Sequence, residues 1–280
     1  MRLPSISLVT PSYNQAQFLS QTIRSVLAQE YPYLEYLIYD GGSTDDSPQI
    51  IKHYADHLSG WVSRKDGGQA DAINQGFARS TGEILGWLNS DDVLWPGALM
   101  AIGDYFAAHP EVDVVMGWSL FFCGEKILYL HEPLGLRLQY LLYSGYFLPQ
   151  ESVFWRRCVY EQIGKLDVHH YVFDHDYFIR MAQMGRRSAT LRQPIGGFRR
   201  HDQQKTADRR VLQQSQQQIQ SDHQQKMGIT PAQAKCLRAY WQRRMRAERA
   251  IRKLRRLALE RRKVALILKH SESYLRHLCR

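Results

Sequence analysis

The sequence predicts an α/β fold, a doubly wound and mostly parallel sheet followed by a helical C-terminal extension. Three observations carry this reading. Apolar strand-like runs alternate with segments of helical period over the first hundred residues. Polar clusters stand just beyond the ends of those runs, where open parallel sheets collect ligands. From about residue 206 the pattern turns helical and strongly basic almost to the end.

Residues 6–10 read as a buried first strand ended by Pro11. Asn14 is placed to cap the next helix, where Phe18, Leu19, Ile23, Val26 and Leu27 recur at helical spacing. Tyr31-Pro32 stops that helix, and residues 34–39 make a second strand ending at Asp40. Strands around 61–63 and 83–88 follow, separated by helices near 46–57 and 69–79. After residue 111 three shorter apolar stretches appear, 112–116, 120–123 and 127–130, then a strand at 153–155 and a helix from about 173 to 184. The expected division is a catalytic domain at 1–205, with halves at about 1–110 and 111–205, and an extension at 206–280.

Charge is unevenly spread. Up to residue 198, 15 Lys and Arg face 21 Asp and Glu, a net −6; from 199 onward 22 face 6, a net +16. An acidic body with a basic tail points to an anionic partner for the tail. No nucleic-acid reader motif accompanies it, and the acidic body would repel a phosphate backbone, so nucleic acid is not expected as a partner. Cys123, Cys158, Cys236 and Cys279 are far apart and form neither a zinc motif nor a disulfide framework. Buried or idle thiols in a reducing cytoplasm are expected. No stretch approaches eighteen apolar residues, and Met1 to Pro4 run straight into a strand, so a cytoplasmic protein is expected.

Two motifs stand at strand ends. Asp40-Gly-Gly-Ser-Thr-Asp45-Asp46-Ser47 combines glycines that let backbone approach a ligand with a carboxylate that can accept from a base edge or ribose hydroxyl. Leu88-Asn-Ser-Asp91-Asp92 sets two carboxylates side by side, an arrangement that calls for a screening cation or water. Each alone is equally consistent with a solvated, capped turn.

Their order and spacing change the weighing. Thr10-Pro-Ser-Tyr-Asn14, Phe18-Leu, Tyr31-Pro32, Asp40-Gly-Gly-Ser-Thr-Asp45, Asp66-Gly-Gly-Gln-x-Asp71-Ala-Ile-Asn74 and Thr81-Gly-Glu-Ile-x-x-Trp87-Leu-Asn-Ser-Asp91-Asp92 together closely resemble family 2 glycosyltransferases. The resemblance covers roughly residues 5–205. It implies the GT-A fold, a nucleoside-diphosphate sugar donor (a UDP-sugar by family frequency), a divalent Mn²⁺ or Mg²⁺, and inversion at the anomeric carbon. Thr10, Pro11, Tyr13, Asp40, Asp66, Asp71, Asn89 and Ser90 are implied in donor binding, and Asp91 as metal ligand. Asn89 replaces the first acid of the family's D-x-D motif and brings no charge. Asp174-His-Asp176-Tyr-Phe-Ile-Arg180 resembles the segment holding the family's general base, with Phe173 in place of the usual acidic neighbour.

Helical geometry puts Asp174 on the apolar side with Tyr177, Phe178 and Met181. Asp176 falls on a polar side, where it can pair with Arg180 at i+4, so Asp174 is the expected base. His201 follows a basic pair, as in a late family segment, and is expected at the metal or diphosphate; Arg199 and Arg200 are candidates to balance the diphosphate. Gln150-Glu151-Ser152 is implied on the acceptor side, and Trp118, Tyr143, Tyr146 and Phe147 are candidates for sugar stacking.

The implied activity is sugar transfer to a glycan or lipid-linked hydroxyl in bacterial cell-surface polysaccharide or glycoconjugate synthesis. The competing readings are a sugar-phosphate nucleotidyltransferase and a non-catalytic basic anion-binding scaffold. The tail sets Leu237, Trp241, Met245, Ile251, Leu254 and Leu257 among arginines, with Tyr274, Leu275 and Leu278 further on. Such a helix suits the inner face of an anionic membrane; packing on the body or in a homo-oligomer is the alternative.

Overall fold

The computed structural model describes the backbone of residues 2–259 and 261–278, and the side chains of all of these but 257–263. Leu257, placed above in the apolar stripe, and Cys279 therefore lie outside the described side chains. The first half alternates β1 (Ile6–Ser12), α1 (Ala16–Leu27), β2 (Leu34–Asp40), α2 (Ser47–His53), β3 (Gly60–Ser63), α3 (Gln69–Arg79) and β4 (Ile84–Trp87). Then come β5 (Val93–Leu94), α4 (Ala98–Ala108), β6 (Val114–Cys123), β7 (Lys126–His131), α5 (Leu138–Tyr143), β8 (Val153–Arg156), α6 (Arg157–Ile163), α7 (Phe173–Gln183) and β9 (Ser188–Arg199). Three helices close the chain, α8 (Arg209–Lys226), α9 (Pro231–Leu259) and α10 (Arg261–Leu278).

One nine-stranded sheet runs β3-β2-β1-β4-β8-β6-β9-β5, with β7 on the free stretch of β6. The β3-β2-β1-β4 block is parallel, as strand–helix alternation requires. Beyond it β8 is antiparallel to both β4 and β6, while β9 is parallel to β6.

Each central strand is apolar on both faces because helices cover both. Ile6, Leu8, Tyr36, Ile38 and Ile84 pack under α1, α2 and α4. Val9, Leu37, Tyr39, Leu85 and Trp87 pack under α3, α5 and α7. Gly76 of α3 lets that helix lie against β1, since a Cβ there would come within 2.5 Å of Val9 Cγ1.

Several expectations need correction. Asn14 does not cap α1: its φ is +51°, and its Oδ1 accepts from Thr44 N at 2.9 Å. The α1 terminus is satisfied from the next loop instead, Ala16 N donating to Asp45 Oδ2 at 2.9 Å. The stretches 112–116 and 120–123 are one strand, β6, bent by register shifts between Met116 and Ser119. Of the two alternatives for the thiols, buried or idle, burial is excluded for Cys123, Cys158 and Cys236, which are free and exposed. Trp118, Tyr143 and Tyr146 are core residues, and of the aromatic candidates Phe147 alone stays exposed. In the tail, Leu237, Trp241 and Met245 pack on the body, as do Tyr274, Leu275 and Leu278, whereas Ile251 and Leu254 are exposed.

Candidate active site

The parallel block ends in register: Ser12, Asp40 and Ser63 are paired across β1, β2 and β3. Asp40 is buried, and its Oδ2 accepts from Ser43 N (2.9 Å), Gly42 N (3.2 Å) and Ser63 Oγ (2.8 Å). Its Oδ1 accepts from Ser43 Oγ at 2.5 Å and keeps a lone pair for a ligand. Gly42 has φ +80°, and a Cβ there would meet Lys65 N at 2.9 Å, so this loop must be glycine.

Asp66 lies across the cleft, its Oδ1 accepting from Gly68 N at 2.7 Å. Burial, then the charges of Asp71 and Asp40, push its carboxyl above the ordinary range. Asp71, in the first turn of α3, accepts from Gly67 N at 3.0 Å and Gln75 Nε2 at 2.8 Å. The Thr10 and Pro11 side chains are buried, the Thr10 hydroxyl 3.1 Å from Tyr36 OH, so they shape the rim from below. Tyr13 is 60 % exposed above it.

Asn89 Oδ1 accepts from Gln69 Nε2 at 2.7 Å, and Ser90 is buried with its carbonyl bonded by Thr22 Oγ1 at 2.9 Å. Asp91 meets His201 across 110 residues of chain, Oδ2 to Nε2 at 3.0 Å. His201 is pinned by its tilted contact with the Phe18 ring (4.5 Å between centroids) and by its backbone N–H donating to Gln204 Oε1 at 2.9 Å. One carboxylate and one imidazole suit Mn²⁺ or Mg²⁺, which take the rest of their shell from diphosphate oxygens and water. Among the described residues no group of three His, Cys, Asp or Glu side chains could hold a metal by itself.

Asp92, beside Asp91, turns inward. It accepts from Arg199 N at 3.0 Å and Gln150 Nε2 at 3.2 Å, while burial and then the charges of Asp91 and Glu151 hold its carboxyl well above the ordinary range. Arg199 is committed to structure. It donates to the Asp91 carbonyl (2.7 Å) and Gln21 Oε1 (2.7 Å) between the rings of Phe18 and Phe122. Its expected diphosphate role has no free guanidinium face to use.

Glu151 sits on the floor of the site, 1 % exposed. Ser119 Oγ donates to its Oε1, while Oε2 has no partner. Burial, and secondarily the charges of Asp174 and Asp91, raise it to about 7. Glu151 thus feels the carboxylates of both the α7 start and the β4 end.

Asp174 opens α7. Burial raises its pKa, while the His175 N–H (2.9 Å) and the Lys205 ammonium act against the rise. Lys205 Nζ lies over the rings of Tyr171 (4.6 Å) and Phe173 (5.2 Å). Asp176 pairs with Arg180 at 2.8 Å, as helical spacing predicts, but its side is not open to water. The α8 helix covers it, and His223 Nε2 lies 2.8 Å from Asp176 Oδ1. Burial would raise Asp176, yet the His223 and Arg180 bonds prevail and hold it below the ordinary range.

Sequence reasoning missed Lys205, which comes to α7 from the turn at Lys205–Ala207, and His223, which comes from α8, and gave Glu151 no role beyond the acceptor side. Nothing in their local sequence marks them; Gln150-Glu151-Ser152 just before a strand is the nearest signal.

A family model, "Glycosyl transferase family 2", matches residues 7–179. An uncharacterized glycosyltransferase of Nostoc sp. is 31 % identical over 173 residues, 58 % of this chain, and the alignment spans about half (54 %) of that relative's length. A chondroitin synthase of Escherichia coli is 36 % identical over 107 residues, 38 % of this chain and 16 % of the synthase. Among solved structures, mannosyltransferase PcManGT from Pyrobaculum calidifontis in complex with GDP-Man and Mn²⁺ superposes with a TM-score of 0.65 at 19 % identity, over 99 % of this chain and 86 % of that one. S. aureus TarS 1–349 in complex with UDP-GlcNAc gives 0.61 at 17 % identity, over 73 % and 61 %. The fold is that of GT-A glycosyltransferases, and the chain belongs to glycosyl transferase family 2.

Proposed function

From that membership we propose that the chain moves a sugar from a nucleoside-diphosphate sugar to a hydroxyl of a glycan or lipid-linked acceptor, with inversion. The observation that supports it most is the convergence on Glu151: the Asp91–His201 pair and Asp174 act on one buried floor although they come from separate parts of the chain. Asp40 and Asp66 would take the nucleoside at the ends of β2 and β3. Asp91 and His201 would hold Mn²⁺ or Mg²⁺, which when bound offsets charge on the diphosphate.

Asp174 takes the acceptor proton as the acceptor oxygen bonds to the anomeric carbon, and the carbon–oxygen bond to the diphosphate breaks on the opposite face. Lys205 favours the ionised form of Asp174, the form that can accept a proton. A UDP-sugar is the first donor to try: TarS was captured with UDP-GlcNAc and PcManGT with GDP-Man and Mn²⁺. We place the activity on the cytoplasmic side, in cell-surface polysaccharide or glycoconjugate synthesis.

Screening UDP-, GDP- and dTDP-sugars for thermal stabilisation and for Mn²⁺-dependent hydrolysis tests the reading. Stabilisation by one donor class, lost in Asp91→Ala, is the expected result. Full turnover in excess chelator would overturn the metal assignment, and pyrophosphate release from a nucleoside triphosphate would favour nucleotidyl transfer instead.

A further inference from the structure

The basic extension takes no part in the chemistry above, yet α9 carries two different apolar faces. The inward face is satisfied. Leu237, Trp241 and Met245 pack on the body, with Trp241 at 5.9 Å from the Tyr140 ring. The charges beside it are neutralised: Glu248 accepts from Arg137 at 2.8 Å, and Arg252 lies 2.9 Å from Glu248 and 3.4 Å from Glu132.

The outward face is not. Tyr240, Ala247, Ile251 and Leu254 recur at spacings of seven, four and three, which aligns them on one side of a helix. Tyr240 and Ile251 are each 51 % exposed and Leu254 66 %. Arg243, Arg246, Lys253 and Arg255 flank this ridge, all exposed. None of the four has a carboxylate partner among the described residues. The sole acid of α9, Glu248, points inward.

We propose that this outward face of α9 is a docking surface for an anionic lipid bilayer. An apolar ridge bordered by exposed cations that have no carboxylate partner among the described residues is the arrangement with which an interfacial helix meets headgroups, the ridge entering the acyl boundary and the cations staying at the phosphates. A second copy docked through the same face would set arginine against arginine. Three large apolar side chains separated by alanine are also too few for the core of a stable protein interface, which buries about 800 Å² per partner. Among the described residues no helix is long and apolar enough to cross a membrane, so α9 would lie on the surface. The proposal stands apart from the sugar-transfer reading, because it uses none of the site residues.

Co-sedimentation of the full chain with phosphatidylcholine vesicles, with and without phosphatidylglycerol, tests it. The chain is expected to pellet with the anionic vesicles at low salt and to be released at high salt. The triple variant Arg243→Gln, Arg246→Gln, Lys253→Gln should bind about 100-fold more weakly, from about fivefold per cation. Ile251→Ser with Leu254→Ser should weaken binding without changing its salt dependence. Thermal melts of both variants, expected to match the parent, separate lost docking from lost folding. Equal binding to neutral vesicles, or no binding at low salt, overturns the proposal. So does a stable dimer, by light scattering, that the charge variant dissociates.

Discussion

Glu151→Gln isolates the cost of keeping an acid on the floor of the site. The native carboxyl ionises near 7, against an ordinary value of 4.5, chiefly because it is buried and secondarily because Asp174 and Asp91 are negative. Between those two values the folded chain holds a proton that the unfolded chain has released. Stability is therefore full below about pH 4.5 and falls as pH rises towards 7. At about 1.4 kcal/mol per pH unit, the loss between pH 5 and pH 8 is about 2–3 kcal/mol. Glutamine keeps an acceptor for Ser119 and cannot ionise. A constant change in stability from the new amide does not register in a pH slope. Urea unfolding of both proteins at pH 5 and pH 8 gives that slope directly. The expected result is a difference between parent and variant that changes by about 2–3 kcal/mol over this interval in the variant's favour. Because the Glu151 charge also raises Asp92, the variant should ionise Asp92 more readily, in the same direction. Parallel pH dependences in the two proteins would refute the argument.

Asp174→Asn should lower transfer by about 10²–10⁴-fold while leaving donor binding intact; a mild Asp174→Asn with a crippling, well-folded Asp176→Asn would reverse the base assignment. Asp91→Ala should abolish Mn²⁺- or Mg²⁺-supported turnover with little change in the melting curve, and His201→Ala should raise the metal concentration needed for half-activity. His223→Ala removes a buried bond to Asp176 and should cost about 2 kcal/mol in thermal unfolding. An unchanged melting temperature would show that α8 does not anchor α7.

What the sequence determined by itself was the parallel half of the fold and the polar motifs on its rim. Strands buried on both faces leave continuous apolar runs, and the turns after them leave glycines and acids; both are local signals with fixed spacing. The Asp176–Arg180 pair was legible for the same reason, since helical rise sets four-residue contacts without help from the rest of the chain. Asn14 shows the limit: its sequence position suits a cap, but Asp45, 31 residues from the cap position of a conventional reading, supplies the oxygen because the β2 loop folds over the start of α1. Only the tertiary structure decided that His201 reaches Asp91, that Arg199 is consumed in holding the Asp91 carbonyl, and that Glu151 and Lys205 both come close enough to Asp174 for the charges to act on one another. It also divided the tail's apolar residues between an inward face against α5 and an outward face left in water. Contacts of that kind depend on how sheet and helices close on one another, and burial, which sets the charge state of Glu151 and Asp92, is a property of the closed fold that no stretch of sequence carries.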